Sequence, residues 1–108
     1  MAVGYLLAAP ESLLAELPEL LQSYGISCMQ TDASAAGAGW RTTAITTYEC
    51  VNGPAKVELC VEKRQERDYG DVVLMPCRRI FFLKHNASEE LAERINTVLL
   101  DNGADETP

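Results

Sequence analysis

The segment from Arg41 to Arg64, RTTAITTYECVNGPAKVELCVEKR, leaves this chain few choices, because it sets two β-rich runs on either side of Asn52-Gly53. Asn-Gly between alternating runs is the strongest short hairpin signal: a type I′ turn needs positive φ at both central residues, and these two residue types tolerate it. With Asn52 and Gly53 as the loop, Val51 would face Pro54 and Cys50 would face Ala55. That register gathers Ala44, Thr46, Tyr48 and Cys50 with Ala55, Val57, Leu59 and Val61 on one face. It puts Thr43, Thr47 and Glu49 with Lys56, Glu58 and Glu62 on the other. One face is apolar, the other is polar, and Glu49 falls opposite Lys56, so turn chemistry and period-2 patterning predict the same hairpin.

Helical periodicity flanks this hairpin. Leu13, Leu14, Leu17, Leu20, Leu21 and Tyr24 recur at the spacing of an amphipathic helix, with Pro10 suited to its first turn and Gly25 to its stop. Pro18 lacks an N–H and predicts a kink there or two short helices. Near the other end, Asn86 or Ser88 can cap a helix whose stripe is Leu91, Ile95, Val98 and Leu99, ending before Gly103. Residues 103–108 read as a disordered acidic tail that frays.

Between these landmarks the signals are shorter. Ile26 to Thr31 reads as a strand, and Ala33 to Gly39, ASAAGAG, as a mobile loop without side chains to hold it. Val72 to Lys84 should return alongside the second hairpin strand, interrupted by Pro76, and Val3 to Ala8 is either a short strand or a lead-in to the helix. The predicted fold is α+β over residues 1–102: an antiparallel sheet of four to five strands with an N-terminal and a C-terminal helix on its one apolar face. At 108 residues and 47% apolar content, one core forms without metal or disulfide staples.

Charge narrows the partners. The net charge of −7 opposes the counterion release that drives nucleic-acid binding, and it disfavours anionic membrane surfaces. The acid is uneven: residues 1–55 carry −4, 56–85 carry +2 and 86–108 carry −5, so both helical regions are acidic. Lys63, Arg64, Arg67, Arg78, Arg79 and Lys84 are interleaved with Glu62, Glu66, Asp68 and Asp71, the pattern of a surface ion-pair network. A helix–strands–helix order also belongs to double-stranded-RNA-binding domains, but those meet phosphates with Lys and Arg, whereas here the last helix begins acidic.

Cys28, Cys50, Cys60 and Cys77 are separated by 22, 10 and 17 positions, with no C-x-x-C pair and no zinc-site spacing. All fall in strand-like runs, and Cys50 and Cys60 point to opposite faces in the hairpin, so the four read as reduced, buried hydrophobes. The start, MAVGYLLAAP, has no Lys or Arg ahead of its apolar run, and no run reaches spanning length; the expected location is the cytoplasm.

Chemistry is sparse in this pattern. His85 is the only histidine, and a thiolate dyad with Cys77 would need a sharp bend at Pro76. Gly37-Ala38-Gly39 lacks the spacing of a phosphate loop and precedes a strand. No cofactor, metal or catalytic residue is assigned. The expected function is non-enzymatic protein binding: a small acidic inhibitor or immunity-type protein, such as a phage counter-defence protein, that occupies a basic or nucleic-acid-binding surface of another protein. The expected contact residues are Glu16, Glu19, Glu89, Glu90 and Glu93, with Trp40 as aromatic anchor. Two alternatives remain: an acidic secretion-chaperone-like adaptor acting as a homodimer, and a small enzyme relying on Cys77 or His85.

Overall fold

A computed structural model describes residues 6–38, 41–66, 77–82 and 88–106. The chain runs β1 (Leu6–Ala8), α1 (Glu11–Ala15), α2 (Leu17–Ser23), β2 (Ser27–Ala38), β3 (Arg41–Asn52), β4 (Ala55–Glu66), β5 (Cys77–Phe82), α3 (Glu89–Asp101) and β6 (Asp105–Glu106). All strand pairs are antiparallel, in the order β2-β3-β4-β5-β1-β6. The α+β class with an antiparallel sheet is therefore as expected, while the described residues form six strands and three helices in place of the four to five strands and two helices.

The hairpin forms, one step displaced. Asn52 pairs with Ala55, leaving Gly53 and Pro54 as the two-residue loop. Gly53 has φ +59°, and proline's ring holds the next residue at negative φ, which is the type II′ combination rather than I′. Each cross-strand partner moves by two positions, so every side chain keeps its face. Glu49 now opposes Glu58, and Lys56 reaches Glu49 diagonally at 3.8 Å.

Proline also sets the helices. α1 stops at Ala15, and Pro18 sits in the first turn of α2, where its missing N–H has no helical partner to lose. Both long helices then end alike. The Gly25 N–H bonds the Gln22 carbonyl at 2.9 Å and the Ile26 N–H bonds that of Leu21 at 3.0 Å; Gly103 to Leu100 (3.5 Å) and Ala104 to Leu99 (3.0 Å) repeat the pattern. These are Schellman motifs: the glycines take φ +80° and +113°, and Ile26 and Ala104 bury against the last helical turn.

That second motif corrects the frayed tail through Glu106. Ala104 is buried, and Asp105–Glu106 extend as β6 along the free edge of β1. The mobile loop expected at 33–39 is also corrected through Ala38, because β2 continues there and each residue from Asp32 to Ala38 has a partner on β3. A bulge between Gln30 and Asp32 reverses the alternation, turning Ala33, Ala35 and Gly37 to the helix side. Small side chains suit this register: a Cβ at Gly37 would lie 2.5 Å from the Arg41 carbonyl oxygen.

The core lies between one sheet face and the helices. Leu7, Cys28, Cys50, Val57, Leu59, Val61 and Ile80 meet Leu13, Leu14, Leu17, Leu21, Leu91, Ile95, Val98 and Leu99. Ile80 points inward, whereas Phe81 lies opposite Cys60 on the other face. Ser88 caps α3 by accepting from the Leu91 N–H at 3.3 Å. Val72 to Pro76, Leu83, Lys84 and Asn86 lie outside the described residues.

Candidate protein-binding surface

The helices give the protein an acidic face. Residues 11–23 and 89–101 contain seven carboxylates and one guanidinium, whereas β2 to β5 carry five carboxylates and six cationic side chains. The two arms of helical sequence reach this layer for different reasons: the Leu13 to Leu21 stripe seats α1 and α2, and the Ser88 cap with the Leu91 to Leu99 stripe seats α3.

Of the expected contact residues, Glu16 occupies the junction of α1 and α2, and Glu19 follows in the first turn of α2. Glu89 and Glu90 open α3, where carboxylates complement the helix N-terminus, and Glu93 sits one turn on. All five are exposed, and none has an ion-pair partner among the described residues. The fold thus presents two clusters on separate helices. Trp40, like His85, lies outside the described residues.

Glu90 also borders an open cleft of ≈ 430 Å³ between the β3–β4 turn and the start of α3, lined by Asn52, Pro54, Ala55, Ser88, Glu90, Leu91 and Arg94. The Ser88 N–H bonds the Lys56 carbonyl at 3.1 Å, pinning the helix start to β4. Arg94 donates from Nη2 to the Tyr24 carbonyl at 2.6 Å, tying α3 to the end of α2. Hairpin and helix were legible separately; their convergence on this cleft was not.

A second feature joins elements far apart in sequence. Glu11 accepts from Lys63 Nζ at 2.8 Å and from Arg78 Nε at 2.9 Å, so one carboxylate bridges β4 and β5. Part of the basic cluster is thereby an ion-pair network, as expected, though its acid comes from α1 rather than the neighbouring glutamates. The Lys63 hydrogen bond pulls the Glu11 carboxyl below its usual value, burial opposes this, and the Lys63 charge and Arg78 add to the lowering.

Glu11 is 53% exposed, so solvent screening keeps this contribution under about 1 kcal/mol. With a lowered folded pKa, the stabilisation is complete above the unfolded value near 4.5 and is lost as pH falls through the folded one. Acid unfolding of Glu11→Gln should therefore match wild type in shape above that pH and be flatter below it. An identical acid limb would contradict the bridge.

Three cysteines are described, all buried and unpaired in disulfides. Cys50 belongs to the core and Cys60 to the opposite face, where its Sγ lies 3.5 Å from Thr47 Oγ1. Burial pushes the Cys60 thiol up, with the Thr47 hydrogen bond acting against it. Among the described residues, no three of His, Cys, Asp and Glu are grouped to hold a metal ion, and no helix is long and apolar enough to cross a membrane. Comparison of the chain with protein-family models, with curated proteins and with solved structures finds no match.

Proposed function

We propose that this protein is a non-enzymatic binding module that presents its helix layer to a basic, nucleic-acid-binding surface of another protein, in the manner of an inhibitor, immunity protein or phage counter-defence protein. The supporting observation is the segregation of charge: of the seven helix carboxylates, which face one helix guanidinium, Glu11 is bridged to Lys63 and Arg78 and the other six remain, over a nearly balanced sheet. Carboxylates held on a rigid layer complement Arg and Lys and compete with phosphates for them. Glu16, Glu19, Glu89, Glu90 and Glu93 carry the contact in this reading, with Trp40 as anchor, and the cytoplasm as its setting.

The test is capture of proteins from cell lysate by the immobilised chain, with duplex DNA as competitor. Wild type should retain proteins that DNA releases, and E89K/E90K/E93K should lose at least about tenfold of that retention, since reversed charges repel a basic surface. Equal retention by the triple variant, or retention indifferent to DNA, would refute the reading.

The homodimeric adaptor keeps one specific support. β2 runs twelve residues along an open edge of the sheet, and from Met29 to Gly37 it is exposed with Asp32 as its one charge. Among the described residues the opposite edge is the two acidic residues of β6, a short charged strand of the kind that blocks edge pairing. Sedimentation would separate the readings: a dimer abolished by an Ala35→Pro or Ala36→Lys change favours the adaptor, and a monomer favours the inhibitor.

A further inference from the structure

We propose that Cys28 and Cys50 form a thiol–disulfide exchange site, closed to a cross-strand disulfide by low-molecular-weight disulfides and reopened by low-molecular-weight thiols. The two residues are direct partners in the β2–β3 register and both side chains enter the core. Their pairing class follows from the turn. Asn52 and Ala55 close a two-residue loop and exchange hydrogen bonds, so alternate residues inward along β3, including Cys50, direct their N–H and C=O to β4. The same count carried across the sheet aims the Arg78 carbonyl at β1, where it accepts from the Ala9 N–H at 3.1 Å.

Cys50 therefore faces Cys28 as a non-hydrogen-bonded pair, the class with Cα atoms about 4.5 Å apart and side chains closest. Disulfides need a Cα separation of roughly 4.4–6.8 Å, so the bond closes without moving either strand. Neither thiol has such a partner in Cys60, which lies on the opposite face.

The environment divides the roles. Cys28 lies on the edge strand and is 6% exposed, while Cys50 on β3 is fully buried. A hydrogen bond from the Cys50 thiol holds Cys28 toward its thiolate, against desolvation and the Glu19 charge. That same bond, burial and the Cys28 charge push Cys50 far up. Its place on the edge strand and its residual exposure make Cys28 the attacking sulfur and Cys50 the resolving one.

In the first step the Cys28 thiolate attacks one sulfur of a small disulfide, forming a mixed disulfide and releasing one small thiolate. Capping Cys28 removes the anion that helped hold the Cys50 proton. Cys50 then gives that proton to the released thiolate and attacks Cys28 Sγ, expelling the second small thiolate, which takes the proton Cys28 had left in solvent. Two protein thiols become one disulfide and one small disulfide becomes two thiols, so the exchange balances without another oxidant. Access to Cys28 comes from fraying of β2, which among the described residues has a neighbouring strand on one side.

The experiment equilibrates the full chain with oxidised or reduced glutathione, alkylates under denaturing conditions and maps tryptic peptides. Arg41, Lys56 and Lys63 leave Cys28, Cys50 and Cys60 on separate peptides, and Arg67 separates Cys77. Oxidation should lower the four alkylatable thiols to two, link the Cys28 and Cys50 peptides, and raise the melting temperature by roughly 10 °C, as expected for closing a loop of this length. C60S should behave as wild type; C28S and C50S should show neither link nor shift. Four remaining thiols, glutathione adducts alone, or a link through Cys60 or Cys77 would overturn the proposal. Peptide mapping of wild type decides it even where a serine variant fails to fold.

Discussion

Leu59→Ala is expected to remove about 3 kcal/mol of folding stability and to lower the melting temperature by roughly 15 °C. Leu59 is fully buried on β4, with Tyr48 of β3 opposite on one side, Phe82 of β5 opposite on the other, and the helix layer packed against that face. Deleting its isopropyl group removes apolar contact and leaves a cavity. Both flanking ladders hold the β4 backbone, so the cavity cannot close by a strand shift. Met29→Ala is the control: this side chain is 67% exposed on β2, and its loss should change stability by no more than about 0.5 kcal/mol. Thermal and urea unfolding followed by circular dichroism would measure both, and a loss below about 1 kcal/mol for Leu59→Ala would contradict helix packing on this strand.

Asn96 should respond to two substitutions in opposite directions. It lies on the buried side of α3 at 9% exposure, and its Oδ1 finds no hydrogen-bond donor among the described residues. Such an oxygen has lost water without compensation, so Asn96→Leu should stabilise the fold by about 1 kcal/mol. Asn96→Asp would place a carboxylate there and cost about 3 kcal/mol at neutral pH. Burial would raise that carboxyl's folded pKa above its unfolded value, so the penalty is complete above the raised value and relieved as pH falls below the unfolded one. The acidic variant should therefore recover stability relative to wild type on acidification. Parallel pH profiles for the two proteins would show that the position is not desolvated.

Leucine spacing and proline placement made both helical regions legible, including the break at Pro18, because these signals are local. Period-2 alternation identified the faces of β3 and β4 even though the turn was misplaced, since a shift of two positions preserves the face. Asn52-Gly53 alone sets the turn one position early; the fixed negative φ of Pro54 belongs at the second central position and moves the loop to Gly53-Pro54. Residues 99–104, LLDNGA, contain a local signal against fraying at the tail: a glycine followed by an apolar residue, just as in residues 21–26, LQSYGI. The extension of β2 was illegible in its own composition. Ala and Gly have little strand preference, and the ladder along β3 decides their conformation. For the binding surface, the sequence placed the acidic residues on helices, but the Glu11 bridge and the cleft beside Glu90 depend on residues dozens of positions apart.

The division between a negative helix layer and a near-neutral sheet gives the molecule a permanent electric dipole running between helices and sheet. An approaching cationic surface feels a torque before it feels contact, and it rotates the protein helix-side first over about one Debye length, roughly 8 Å in physiological salt. Orientation would then be selected during diffusion rather than after collision, and raising the ionic strength would slow encounter without altering any contact in the fold.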